Sequence, residues 1–221
     1  MTDTFYSRSG KRYFDAFVGF TALILLAPAF AMLGLCVYFS SGLPIFFRQE
    51  RTGRDGKPFR IWKFRTMKLA PEAHGALVTA AGDSRVTPVG RWLRRTKCDE
   101  LPQLINVLLG EMSLVGPRPE VPYFTVDYTS LQRDVLRIRP GVTGPTANLY
   151  ISEEELLAKQ PDKETYYRTV LLPAKLQMDL DYAMSIGFNK DLKLLANTIS
   201  GLLLKSREVE RLTASATQKE I

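Results

Sequence analysis

The densest set of chemically capable side chains is Arg91-Trp92-Leu93-Arg94-Arg95-Thr96-Lys97-Cys98-Asp99-Glu100-Leu101-Pro102-Gln103, in which two adjacent carboxylates directly follow four cations. A carboxylate in such a setting can ligate a divalent cation, attack phosphorus or accept a proton. Neighbouring arginines can hold phosphate oxygens and keep the carboxylate ionised. On a regular helix, neighbours diverge by about 100°. At a helix start, which Pro102 suggests, both side chains can converge on one ion or substrate. The plainer alternative is that Asp99 caps the helix and Glu100 complements its dipole.

Two further segments suit anion recognition. Gly116-Pro117-Arg118-Pro119 holds Arg118 on a stiff loop between prolines, the kind of presentation that favours bidentate binding of phosphate. Arg137-Ile138-Arg139-Pro140-Gly141-Val142-Thr143-Gly144-Pro145 combines arginines with glycines that could let backbone amides approach an anion. Each is equally a proline- or glycine-rich turn.

The residue inventory narrows the chemistry. One histidine, His74, excludes any mechanism that needs two imidazoles, and with two cysteines it cannot form a four-ligand zinc site. Cys36 and Cys98 sit in unlike settings, which argues against a disulfide scaffold. Acid–base or nucleophilic work falls to carboxylates, Ser/Thr, Tyr or Lys. The net charge of +7 is uneven: residues 1–97 hold 16 Lys/Arg and 6 Asp/Glu, and residues 98–221 hold 14 and 17. A basic first half suggests a nucleic acid, an anionic membrane or a phosphorylated substrate.

The elements that must position these residues begin with 24 uncharged residues, Ala16–Phe39. As a continuous helix they would reach about 36 Å, enough for a hydrocarbon core of about 30 Å. Pro28 lies near the middle and predicts a kink. Both flanks are basic, Arg8, Lys11 and Arg12 before and Arg48, Arg51, Arg54, Lys57 and Arg60 after. Both therefore belong on the cytoplasmic side, which a single crossing cannot satisfy. A helix that enters, breaks at Pro28 and returns satisfies it; a plain single-pass anchor is the alternative. Asp15 is expected to pair with Lys11 or Arg12.

The rest reads as a catalytic domain. Thr52-Gly53-Arg54-Asp55-Gly56-Lys57-Pro58 between two apolar runs signals a β-hairpin. Residues 69–86, with His74, read as a loop. Thr87-Pro88 starts a helix over 89–97, and a second runs from Gln103 to Leu109 and stops at Gly110. Helical periodicity covers 120–138, 163–186, with a kink at Pro173, and 190–205, which is amphipathic and suits either a membrane interface or the domain core. Tyr166, Tyr167 and Tyr182 read as core or interface residues. The expected fold class is α+β, mainly helical. It comprises a membrane-anchoring re-entrant hairpin over 1–42, a catalytic domain over 43–205 and a polar tail over 206–221.

In this order the motifs resemble the monotopic phosphoglycosyl transferases, the bacterial sugar-transferase family. The resemblance rests on Lys11-Arg12-Tyr13-Phe14-Asp15, the apolar segment with Pro28, Pro44-Ile45-Phe46-Phe47-Arg48-Gln49-Glu50-Arg51-Thr52-Gly53 and Lys63-Phe64-Arg65-Thr66-Met67. It continues through Asp99-Glu100-Leu101-Pro102-Gln103-Leu104, Met112-Ser113-Leu114-Val115-Gly116-Pro117-Arg118-Pro119 and Arg139-Pro140-Gly141-Val142-Thr143-Gly144, covering most of residues 8–145. The resemblance is to the minimal form of the family, without an N-terminal multi-span region. It implies transfer of a sugar-1-phosphate from a nucleotide sugar, usually UDP-linked, to polyprenyl (undecaprenyl) phosphate on the cytoplasmic face of the bacterial inner membrane. It also implies Mg²⁺ and a ping-pong course.

Carried over by position, Asp99 is the nucleophile that forms a phosphosugar intermediate and releases UMP. Glu100 assists, at the lipid phosphate or the metal. Arg94, Arg118 and Arg139 bind phosphates, with Lys63 and Arg65 as weaker candidates. The expected partners are a nucleotide sugar, polyprenyl phosphate and membrane lipids, with no nucleic acid; the oligomeric state, a homodimer included, is left open. Two departures stand out. Pro145-Thr146-Ala147-Asn148-Leu149 replaces a Trp-Ala-Gln-Val-like stretch of many members, which bears on sugar and base specificity. Ala27-Pro28 stands where some relatives have Ser-Pro. The rival reading is a membrane-anchored basic module, its 44–97 segment docking anionic lipid or nucleic acid without catalysis.

Overall fold

The computed structural model describes residues 5–68, 83–149 and 153–201. His74 and the tail beyond Lys205 lie outside them. The first long element is α1 (Lys11–Ser41), which runs as one uninterrupted helix through Pro28. The sequence suggests a break there; the missing proline N–H removes one hydrogen bond, and the turns on either side keep the helix going. By length and composition α1 could cross a membrane.

Both ends of α1 are fastened to the same domain. At the start, Asp15 is buried and its Oδ1 accepts the Leu114 amide N–H at 3.1 Å. Arg12 donates to the carbonyls of Val107 and Leu108 at 2.5 and 2.8 Å, and Lys11 pairs with the fully buried Asp191. The expected pairing of Asp15 with Lys11 or Arg12 is therefore corrected: all three side chains reach distant parts of the chain, where each meets a buried group that needs it. Tyr6 and Tyr182 also donate to Asp191, at 2.7 and 2.6 Å. At the other end, Arg65 is buried and donates to the carbonyls of Leu43 at 2.9 Å, Gly42 at 2.6 Å and Ser41.

The hairpin forms as its turn residues dictate. Strand β1 (Phe46–Thr52) pairs antiparallel with β2 (Pro58–Phe64), Phe46 opposite Phe64 and Thr52 opposite Pro58. The turn places Asp55 and Gly56 at φ of 57° and 75°, which Asp tolerates and Gly adopts freely. Helix α2 (Pro88–Thr96) starts at a Thr87 cap whose hydroxyl accepts the Gly90 N–H at 2.9 Å. Helix α3 (Gln103–Leu109) ends at Gly110, left-handed at φ 82°. A two-stranded parallel pair, β3 (Ser113–Val115) and β4 (Gly141–Thr143), is an element that three-residue runs did not announce.

Between these strands the expected helix over 120–138 is replaced by the single turn α4 (Pro122–Thr125) and a 3₁₀ turn at Gln132–Arg137. A reciprocal cap divides the two: the Gln132 side chain accepts the Thr129 N–H at 2.9 Å, and the Thr129 hydroxyl accepts the Gln132 N–H at 3.3 Å. After β4 come α5 (Pro145–Leu149), α6 (Glu153–Ala158) and α7 (Lys163–Tyr166). A π-helical turn, Tyr167–Leu171, leads into α8 (Leu172–Met184). Pro173 thus sits in the first turn of α8, where its missing N–H is tolerated, and the irregularity falls just before it. A last helix covers 188–201.

The core has three parts. The first half of α1 (Phe14, Val18, Ala22, Leu23, Leu26) packs with Ile61, Val107, Met112 and Leu114. Its second half (Phe30, Leu33, Val37) packs with Phe64 and Leu93. The third part joins α4 to α8 through Phe124, Tyr167, Leu172 and Leu176. The opposite side of α1 exposes Phe17, Phe20, Ile24, Leu25, Met32, Leu35 and Phe39. Such a continuous apolar surface is what a lipid environment would cover.

One glycine sets where α2 lies. A Cβ on Gly90 would stand 2.1 Å from the Thr66 carbonyl oxygen, so α2 touches the chain leaving β2 backbone to backbone. Gly90→Ala is expected to push α2 away and destabilise the fold by about 3 kcal/mol, the upper range for overpacking. Denaturant melts of the purified protein check this, and an unchanged midpoint would contradict the close approach.

Candidate active site

The turn between α2 and α3 is the centre of the site. Helix α2 ends at Lys97, a non-glycine residue held left-handed at φ 58°, an arrangement that persists only where surrounding structure enforces it. A 3₁₀ turn, Cys98–Glu100, follows and delivers both carboxylates. Neither this turn nor α3 has a side-chain cap. Asp99 is 7% exposed and its Oδ1 has no hydrogen-bond partner. The capping alternative therefore does not describe Asp99. An enclosed carboxylate oxygen without a partner is costly, and sites that keep one generally use it.

The two carboxylates have been driven apart. Burial, and then the charge of Glu100, raise the Asp99 carboxyl above the ordinary carboxylate range, against the pull of Lys63, Lys97 and Arg94. Glu100 is itself desolvated, yet Lys63, Arg118 and Lys97 together hold it well below that range. Lys63 on β2 donates to Glu100 Oε1 at 2.7 Å. Such a divergence within one pair separates their chemical roles.

Glu100 and Lys63 line an open cleft of about 350 Å³, together with Gln103, Arg118, Arg51 and Thr146 among others. Arg118 is enclosed, and the charges of Glu100, Glu153 and Glu120 keep its guanidinium more firmly protonated than usual despite burial. Its loop passes β4 at close range: a Cβ on Gly116 would lie 2.5 Å from the Arg139 carbonyl oxygen, and one on Gly141 would lie 2.1 Å from the Gly116 nitrogen. The Gly141 N–H is donated to the Pro117 carbonyl at 2.8 Å. Gly141 thus serves a backbone crossing that fixes the Arg118 loop, where the sequence suggested an anion nest.

Of the residues expected from sequence, Glu100, Lys63 and Arg118 line this cleft, and Asp99 lies within reach of the charges of Glu100, Lys63 and Arg94. Arg94 donates Nε to the Thr66 hydroxyl at 2.9 Å and its charge reaches Asp99. Arg65 does not converge: its guanidinium closes the carbonyl end of α1 and is assigned to the scaffold. Arg139 is also placed elsewhere, donating Nε to the Gly110 carbonyl at 2.7 Å beside Arg12 at the end of α3. Pro28 lies far along α1 in sequence and contributes through the anchor alone. Sequence reasoning missed Arg51, which donates to the Pro119 carbonyl at 3.1 Å and to Gln49 at 2.7 Å. It also missed Lys97 and Gln103. Arg51 stood in a motif already noticed, but among 13 Lys/Arg over 44–97 nothing distinguished it.

The family profile described as bacterial sugar transferase matches residues 6–205. The chain belongs to that family. It is 36% identical over 193 residues to a UDP-glucose:undecaprenyl-phosphate glucose-1-phosphate transferase of Escherichia coli strain K12, covering 86% of this chain and 39% of that protein. It is 44% identical over 115 residues to a putative undecaprenyl-phosphate N-acetylgalactosaminyl 1-phosphate transferase of Bacillus subtilis, covering 52% of this chain and 64% of the relative. The exopolysaccharide production protein PSS of Rhizobium leguminosarum is 33% identical over 206 residues, covering 89% and 96%. The chain thus spans about two fifths of the E. coli protein and nearly all of the Rhizobium protein.

Proposed function

We propose that this bacterial sugar transferase moves a sugar-1-phosphate from a UDP-sugar to undecaprenyl phosphate, releasing UMP. The observation that carries the reading is Asp99, an enclosed carboxylate with an unpartnered oxygen, set among Lys63, Lys97 and Arg94, beside a Glu100 that also feels Arg118. In the first half-reaction an Asp99 oxygen attacks the phosphorus that bears the sugar. The bond from that phosphorus to the UMP oxygen breaks, and UMP leaves with the electron pair. In the second, an oxygen of the lipid phosphate attacks the same phosphorus, the bond to Asp99 breaks, and the carboxylate is regenerated. Two anionic substrates meet one site in turn, and its cations offset their charge.

Glu100, held ionised by Lys63, Arg118 and Lys97, suits a charge-bearing role at a metal better than proton uptake, because a carboxylate so depressed is a weak base. The donor set also fits a hard divalent cation: the orphaned Asp99 oxygen and Glu100 are oxygen ligands, and Mg²⁺ completes its shell with water and substrate phosphates. Among the described residues no group of three or more His, Cys, Asp or Glu is assembled, so such a site would rest on Asp99 and Glu100. Bound Mg²⁺ would neutralise charge on the transferring phosphoryl group.

The apolar side of α1 supports a monotopic anchor, and the attachment of both its ends to one domain supports placing both on the cytoplasmic face, although α1 runs through Pro28 without the break that the sequence suggested. Purified protein in nanodiscs should release UMP from a UDP-sugar only with Mg²⁺, and should carry a phosphosugar on Asp99 before lipid is added. Salt-sensitive binding to anionic vesicles with no turnover would favour the basic-module alternative. Tags at the N-terminus and at residue 75 should both report from the cytoplasm; opposite sides would exclude re-entry.

A further inference from the structure

We infer that Asp179, on α8, is a positioning residue for Arg118, acting through the single backbone donor that the Pro117-Arg118-Pro119 segment possesses. Prolines have no N–H, so of these three residues only Arg118 can tether its backbone by donating. That N–H is directed to Asp179 Oδ2 at 3.3 Å. The other two backbone ties of the segment are carbonyls, Pro117 accepting from Gly141 and Pro119 from Arg51.

Asp179 is 4% exposed, and besides the Arg118 amide its carboxylate meets the Thr146 side chain. Burial pushes its carboxyl up to about 7, with Lys175 and the Arg118 amide opposing and Glu120 adding to the rise. A packing role alone would be met by an apolar residue; the buried acceptor is explained by the amide it faces. Behind Arg118 the same helix contributes Lys175, which donates to Glu153 at 2.9 Å and to the Tyr167 hydroxyl at 3.1 Å. Tyr167 in turn donates to Glu120 at 2.6 Å. A polar layer from the segment after residue 150 thus backs an arginine supplied before it.

Taking Arg118 as the phosphate-binding residue proposed above, Asp179 sets its height in the cleft and so governs affinity for the nucleotide sugar. In nanodiscs with UDP-glucose and UDP-N-acetylgalactosamine, Asp179→Ala is expected to raise KM roughly tenfold with kcat changed less than about threefold, the scale of one lost hydrogen bond. Asp179→Asn keeps an acceptor for the amide and should restore most of the affinity. An unchanged KM in Asp179→Ala, or an Asn variant as impaired as the Ala variant, would overturn the inference. Hydrogen exchange at the Arg118 amide gives a readout independent of turnover: protection should fall in Asp179→Ala and recover in Asp179→Asn, and unchanged protection in Asp179→Ala would also overturn it. If the unaltered protein releases no UMP from either sugar nucleotide, the proposed reaction fails, and amide exchange alone then decides the role of Asp179.

Discussion

Asp99→Asn is expected to reduce UMP release by at least about a thousandfold while leaving the protein as stable as before, or more so. The loss follows from the chemistry: an amide is a far weaker nucleophile than a carboxylate, and Glu100, the other carboxylate of the turn, is engaged by Lys63. Retained stability follows from burial. The Asp99 carboxyl is raised by desolvation and by Glu100, so in the folded state its ionised form is disfavoured. An unfolded chain ionises first as pH rises. The penalty is therefore absent below the ordinary carboxylate range and complete once pH exceeds the raised folded value. Asparagine keeps the shape and removes the charge, relieving that penalty at neutral pH. Thermal melts and UMP release on the same preparation check both halves. Normal turnover in Asp99→Asn would sink the nucleophile assignment; a large fall in melting temperature would show that Asp99 holds the fold.

Arg118→Ala carries the second large effect, and here both activity and stability should fall. Arg118 stands among Glu100, Glu120 and Glu153, each of which strengthens its hold on its proton. Removing it leaves these carboxylates with less charge compensation, which should cost about 1–3 kcal/mol of stability. Loss of its phosphate contact should lower kcat/KM by about a hundredfold or more. Arg118→Lys separates the two contributions. A lysine keeps the charge among the glutamates, so most stability should survive. It lacks the planar fork that grips phosphate at two points, so KM for the nucleotide sugar should remain high. Denaturation midpoints and steady-state kinetics on both variants test this, and a Lys variant with wild-type KM would remove the bidentate role.

What could be read from sequence was what short-range chemistry determines. Thr87-Pro88 capped α2, Gly110 ended α3, and Asp55-Gly56 turned the hairpin, each through backbone preferences that act over a few residues. The Asp99-Glu100 pair stands out because two carboxylates follow four cations, but a helix cap explains it as simply until the ordered motifs of the family favour chemistry. Arg65 and Arg139 were misplaced because an arginine's destination is a tertiary fact: one reaches the end of α1 and the other the end of α3, carbonyl groups that no local pattern reveals. The polar layer around Lys175 and Asp179 was hidden for the same reason. Charged residues at helical spacing read as a solvated face, and only the packing of α8 against the Arg118 loop buries them. Tyr167 was expected in the core, where it lies, but its hydroxyl bond to Glu120 needed the fold to become visible.

The double attachment of α1 has a mechanical meaning. A catalytic domain on a flexible leash would sample many heights above a bilayer and meet a lipid phosphate only at some of them. Here Arg65 clasps one end of the helix, and Lys11, Arg12 and Asp15 clasp the other. If α1 lies in lipid as proposed, the turn bearing Asp99 and Glu100 is carried to one altitude above the headgroups. Immersion depth then becomes a calibrated dimension of the enzyme, written into the same core that holds its carboxylates.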